Sequence, residues 1–214
     1  MPLLKIQKTD KQSGWALWFI TEQEPELVEA SGEQVDNSIV SYTKRLEWLA
    51  GRALIKSLVE QCGLEFHGID KDEYGKPFLK RYSHPISLSH SYPYIAAQID
   101  VKLEVGIDLE QPKPKLLNIA HRVLSPTELE DAGTDIVKHC IYWCAKEAMY
   151  KSYGKRGLHF ADHLLVSPFE LKYRGDLEGK IIANGTQREL ELEYTVQPDY
   201  VLVYTKANTN TLNT

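Results

Sequence analysis

Two stretches of the chain carry apolar residues at the three- and four-residue spacing of a helix that buries one face. Between Thr43 and Gln61 the positions Leu46, Leu49, Ala50, Ala53, Leu54 and Leu58 recur in this way, which predicts a helix stopped near Gly63. Between Asp135 and Tyr153 the positions Val137, Cys140, Ile141, Cys144 and Ala148 do the same, with Gly154 as the stop. A second row on that helix holds His139, Trp143, Glu147 and Lys151, and residues four apart share a face. The helix is expected to pack with one stripe and present charge with the other. On the first helix Lys44, Arg45, Arg52 and Lys56 are left for outward faces.

Strand patterns fill the intervals. Trp15 to Ile20 is an apolar run of strand length, and Thr21-Glu22-Gln23-Glu24 has the spacing of a capping box, so a helix is expected to begin there. Ile86-Ser87-Leu88-Ser89 alternates, two apolar residues on one face and two hydroxyls on the other, with His90 and Ser91 at its end and Tyr94 to Gln98 as a partner strand. The clearest period of two runs from Leu103 to Glu110, with Leu103, Val105, Ile107 and Leu109 on one side and Gly106, Asp108 and Glu110 on the other. Asp108 and Glu110 would then lie about 7 Å apart along the strand. Gly106 is expected to let a ligand approach the backbone.

Asp72 to Pro77 reads as a turn that offers Lys76, and Ser125-Pro126-Thr127-Glu128 has the N-cap, N1 proline and N3 acid of a helix start. Asn184-Gly185 marks a hairpin in which Leu190, Leu192 and Tyr194 alternate against Glu189, Glu191 and Glu193. Tyr200 to Tyr204 is a last strand, and the tail 207–214 is expected to fray.

With 214 residues there is room for a substantial core, in one domain or in two small ones. A net charge of -5 argues against a general nucleic-acid binder. No run approaches the length of a membrane-spanning helix and MPLLKIQKTD is not a leader, so a cytoplasmic protein is expected. Three cysteines, two of them on the apolar stripe of the second helix, fit free thiols of a reducing compartment better than a disulfide frame.

Laying the helices on one another aligns Trp48–Ser57 with Trp143–Ser152, and five of ten positions are identical without a gap. Each half also carries a tyrosine-led apolar strand, from Tyr94 and from Tyr200. This points to duplication: an α+β fold, a pseudo-dimer of two similar α/β halves, 1–102 and 103–214. A monomer is then expected, because the partner half is already on the chain. Where the second helix has Glu147, the first has Arg52.

Asp108, Glu110 and Glu147 make three hard oxygen ligands with no thiol or imidazole motif, a set suited to Mg²⁺ that keeps positions for water and substrate phosphates. Lys76, Ser89, His90, Lys146 and Lys151 are candidate phosphate binders. Metal plus amines is the usual equipment for attack at phosphorus, where positioning and charge neutralisation supply most of the rate. The plainer alternatives are an i, i+4 ion pair for Glu147 and Lys151 and a solvated strand face for the acids. Glu128 reads as a helix cap, Trp48, Trp143, Cys140 and Cys144 as core, and Lys113-Pro114-Lys115 as a solvated loop.

Val105-Gly-Ile-Asp108 followed by Trp143-Cys-Ala-Lys-Glu147-Ala-Met-Tyr-Lys151 resembles the paired signature of 4'-phosphopantetheinyl transferases, in particular the larger type that activates surfactin synthetase. The likeness takes in Gly75-Lys76-Pro77 and Leu88-Ser89-His90-Ser91, and Leu124-Ser125-Pro-Thr-Glu128 echoes a further element, so that it spans residues 45–160 in order. The resemblance implies transfer of the phosphopantetheine arm of coenzyme A to a serine of an acyl, peptidyl or aryl carrier protein, with Mg²⁺ and release of adenosine 3',5'-bisphosphate. It implies Asp108, Glu110 and Glu147 as metal ligands, Glu147 as acceptor of the serine proton and Lys151 at the leaving phosphate. Lys76 would touch the nucleotide phosphates, and Ser89 with His90 would hold the 3'-phosphate region. Three departures stand out: the spacing from Asp108 to Trp143 is short for the larger type, Ser87 occupies a position where Asn is common, and a basic residue expected before the first long helix has no clear counterpart. Lys44, Arg45 and Arg52 are candidates to replace it, Arg45 first. The competing functions are a metal-dependent nucleotide pyrophosphohydrolase and a non-catalytic coenzyme A or carrier-protein binding module.

Overall fold

A computed structural model describes residues 3–82 and 84–206. The tail expected to fray lies outside the described residues. The chain divides into two compact units, Met1–Glu104 and Val105–Thr214.

The first unit holds strands β1 (Leu3–Asp10) and β2 (Ser13–Phe19), helices α1 (Glu24–Ser31) and α2 (Tyr42–Gln61), and strands β3 (Ile69–Lys71), β4 (Pro77–Leu79), β5 (Ile86–Ser91) and β6 (Tyr94–Ile99). Its four-stranded antiparallel sheet has the order β1-β2-β6-β5, with β3 and β4 paired separately. Leu49, Leu54, Leu58 and Val59 of α2 are buried in one cluster with Trp18, Ile86 and Ile95 of the sheet. The Ser41 hydroxyl accepts from Lys44 N at the start of α2, and Gly63 (φ 74°) follows its end. The capping box before α1 stands two residues later than expected, at Gln23 and Glu26. Glu22 instead accepts from Thr21 N and from the Trp18 indole. In strand β5 Ser87 and Ser89 are buried, as Ile86 is, so its hydroxyls do not face water.

The second unit runs β7 (Ile107–Glu110), α3 (Lys115–Val123), α4 (Pro126–Ala132), α5 (Ile136–Tyr153), α6 (Phe160–His163), then β8 (Leu164–Val166), β9 (Arg174–Ala183), β10 (Thr186–Val196) and β11 (Val201–Thr205). The five strands form an antiparallel sheet of order β7-β11-β10-β9-β8. Asp135 caps α5 by accepting from Val137 N and Lys138 N, and Gly154 ends it at φ 73°. Cys140, Ile141, Cys144, Ala148 and Met149 are fully buried against Leu177, Leu192 and Val203. Asn184 and Gly185 both take positive φ in the β9–β10 turn, as a two-residue hairpin requires.

The strand expected from Leu103 begins only at Ile107. The Asp100 carboxylate accepts from Lys102 N and Leu103 N and holds those residues in a turn. Helix α3 begins at Lys115, the end of the stretch read as a solvated loop; Pro114 precedes its first residue, where a missing N–H costs nothing.

Each unit repeats one chain path: a strand, a long helix, then a hairpin whose last strand returns beside the first. In the first this is β2, α2, β5–β6, and in the second β7, α5, β10–β11, with the returning strand an inner one both times. The aligned segments Trp48–Ser57 and Trp143–Ser152 lie in the two long helices, and eight of their ten positions share a burial class.

Candidate active site

Strand β7 and helix α5 bring the expected charges of the second unit together. Lys151 Nζ donates to Asp108 Oδ1 at 2.6 Å and to the Ile107 carbonyl at 3.0 Å. Asp108 is almost fully buried, and Lys151 retains a quarter of its side-chain exposure. Glu147, one turn before Lys151, has its carboxyl pushed up to about 7, first by burial and then by the negative charge of Asp108, while Lys151 pulls it back. The Lys151 amine therefore ties helix α5 to strand β7, which a pairing within the helix would not do. Buried Asp108 and partly buried Glu147 both offer hard oxygen donors and fit a divalent cation: a positive charge between them would relieve the repulsion that Asp108 exerts on Glu147.

Glu110 ends strand β7, two residues beyond Asp108. Its Oε2 takes Lys115 Nζ at 3.2 Å and its Oε1 the backbone N–H of Gln111. Among the described residues no three His, Cys, Asp or Glu side chains form a group that could hold a metal. The alternation misjudged Gly106. What approaches its backbone is helix α5: a Cβ there would lie 1.8 Å from the Ala148 carbonyl oxygen.

Lys146 does not belong with the phosphate binders. It is fully buried, with Nζ 2.6 Å from Glu128 Oε2 and donating to the carbonyls of Val123 and Phe160. Burial lowers its pKa, and Glu128 opposes that effect. Glu128 is a cap, as expected, and more: it accepts from Ser125 N, Val166 N and Lys146, so one carboxylate joins α4, β8 and α5.

In the first unit the basic candidates are all engaged. Arg45, the first choice to replace the missing basic residue, is held by Glu24 through Nε at 2.9 Å and through a second nitrogen, and donates to the Ile39 carbonyl. Arg52 pairs with Glu33 at 2.8 Å and lies over the Trp48 ring. Lys76 pairs with Glu104 and lines a cavity of about 230 Å³ with Asp72, Pro77, Phe78 and Pro85. His90 is half exposed, its Nδ1 3.3 Å from Glu47 Oε1, and Ser89 beside it is buried. Sequence reasoning passed over Glu47; its place three residues after Lys44 on a helix was the available signal. A cavity of about 670 Å³ opens on the second sheet around Glu178, Lys180, Glu189 and Glu191, and none of the expected site residues lines it.

The sequence profile of the 4'-phosphopantetheinyl transferase superfamily matches residues 104–205. A holo-[acyl-carrier-protein] synthase of Bacillus pumilus is 34% identical over 89 residues, 35% of this chain and 74% of that protein. The chain belongs to the 4'-phosphopantetheinyl transferase superfamily. A 4'-phosphopantetheinyl transferase of Bacillus subtilis is 36% identical over 118 residues, and the transferase Sfp of strain 168 is 33% identical over 118. The chain spans about half the length of these two relatives (51%), and the matches cover 50% of the chain itself. The superfamily match contains Asp108, Glu110, Glu147 and Lys151, whereas Arg45, Lys76, Ser89 and His90 precede it.

Proposed function

We propose that this protein transfers the 4'-phosphopantetheine arm of coenzyme A to a serine of an apo acyl, peptidyl or aryl carrier protein. The observation that carries the reading is the Asp108–Lys151–Glu147 group within the residues shared with the superfamily. The serine oxygen attacks the pantetheine-side phosphorus; a new phosphodiester forms and the bond to adenosine 3',5'-bisphosphate breaks. Glu147, on the helix that carries Lys151, receives the serine proton directly or through a water. Lys151 neutralises the leaving phosphate. Asp108 and Glu147, with Glu110 turning from Lys115, would hold Mg²⁺, which when bound supplies charge neutralisation at the pyrophosphate. The first unit would contribute the coenzyme A phosphate contacts through Lys76, Ser89 and His90, and the second the metal-binding strand and catalytic helix. Three free, buried cysteines suit the reducing cytoplasm, and internal duplication favours a monomer. Among the described residues no helix is long and apolar enough to cross a membrane.

The test is intact-protein mass spectrometry of an apo carrier incubated with this protein, coenzyme A and Mg²⁺. A mass gain of one phosphopantetheine that a chelator prevents is expected. Folded Glu147→Ala should lose at least about 100-fold in rate, the scale of a general base, and an unchanged rate would overturn its role. Coenzyme A cleaved without a carrier would instead mark a pyrophosphohydrolase. Binding of coenzyme A that is indifferent to metal and to Asp108→Ala would mark a binding module.

A further inference from the structure

A smaller cavity of the second unit, about 230 Å³, lies beyond the end of α5 and against the turn of the β9–β10 hairpin. Tyr153, Arg156, Leu158, His163, Ala183 and Gly185 are among the residues that line it, and no lining residue is acidic. Arg156 is exposed, and among the described residues no carboxylate pairs with it, whereas Arg45, Arg52 and Arg174 each have one. His163 adds a donor whose tautomer is fixed. Its Nδ1 accepts from the His159 backbone N–H at 2.8 Å, so that nitrogen carries no proton and the neutral ring keeps its hydrogen on Nε2. The C-terminal end of a helix carries about half a negative charge. The full positive charge of Arg156 outweighs it, and the Tyr150 carbonyl at that end is already taken by Gly154 N. Leu158 and Ala183 make part of the wall apolar. The volume falls below the roughly 300–1,000 Å³ of sites for drug-sized ligands, which suits a molecule of few atoms.

We infer that this cavity binds a short aliphatic carboxylate, with its head at the Arg156 guanidinium and His163 Nε2 and its tail against Leu158 and Ala183. The planar fork of an arginine pairs both oxygens of a carboxylate, and a single positive charge balances a monoanion where it would leave a phosphate dianion half compensated. The apolar wall adds what a bare inorganic anion cannot use. This binding site stands independently of the transfer reaction, since Asp108, Glu147 and Lys151 do not line it.

The experiment titrates the ¹⁵N-labelled full chain with hexanoate, acetate, hexanol and inorganic phosphate and follows the backbone amide signals. Hexanoate should shift those of Gly157 and Gly185 with a Kd in the millimolar range or tighter. Acetate, without the tail, and hexanol, without the charge, should each bind at least about tenfold more weakly. Arg156→Gln should weaken hexanoate at least about tenfold, the loss of a hydrogen bond between charged groups. The inference is overturned by hexanoate shifts that are absent or confined to other residues, by an affinity that Arg156→Gln leaves unchanged, or by hexanol or acetate binding as well as hexanoate. Phosphate that shifts the same amides at lower concentration than hexanoate overturns the choice of a carboxylate. Should Arg156→Gln not fold, the comparison of hexanoate with hexanol and acetate in the native chain decides.

Discussion

An amine with no access to water must be balanced where it stands, and Lys146 is balanced by Glu128 at 2.6 Å and by two carbonyls. Removing one member of such a pair costs more than the pair is worth, because the other charge stays buried. Lys146→Met should destabilise the protein by about 3–5 kcal/mol; Lys146→Met with Glu128→Gln should recover part of that loss, as denaturant titration would show. In sequence, Lys146 looked like its neighbours Glu147 and Lys151, since alternation and helical spacing report a face and never a partner. Gly106 makes the same point for the backbone. It was read as an opening for ligand, whereas the Ala148 carbonyl already occupies the space a side chain would need. Gly106→Ala should cost at least about 3 kcal/mol by thermal or chemical denaturation, because neither contacting backbone can yield as a flexible side chain would. A mild effect would mean that β7 and α5 are less closely packed.

Helix ends were the most legible elements. Ser125 and Glu128 form the reciprocal box expected of their spacing, Gly154 ends α5, and Asn184-Gly185 turns the β9–β10 hairpin. These signals are local: the residue that makes the bond and the backbone group that receives it are a few positions apart. Ser125→Ala should therefore cost about 1 kcal/mol, a small shift of the unfolding midpoint. A loss as large as that of Lys146→Met would show that the hydroxyl does more than cap. Two stretches were misjudged, one for a local reason and one for a remote one. Residues 103–106 alternate like a strand yet run irregularly, because Asp100 takes the backbone donors of Lys102 and Leu103. Helix α3 was hidden behind prolines, and Leu116 and Ala120 reveal its purpose only once the α5 stripe is there to receive them.

Across the molecule, all three cysteines are free and buried, Cys62 in the first unit and Cys140 and Cys144 in the second, and burial pushes the thiols of Cys62 and Cys144 up. A thiol reagent should label none of them in the native protein and all three after denaturation, counted by mass; labelling of a native cysteine would mean that its core opens on the timescale of the reaction. The internal repeat was visible in ten aligned residues, and both units follow one strand–helix–hairpin path. By itself the sequence determined the two long helices and where they stop, the hairpin and the kinship, since periodicity and short motifs depend only on neighbours along the chain. Tertiary structure alone decided which charges are available for chemistry. It sank Lys146 into an ion pair, joined Lys151 to Asp108 beside Glu147, and set Glu47 between Lys44 and His90. The physical reason is that the energy of a charge depends on its burial and on the sign of what lies within a few ångströms, and residues far apart in sequence supply both.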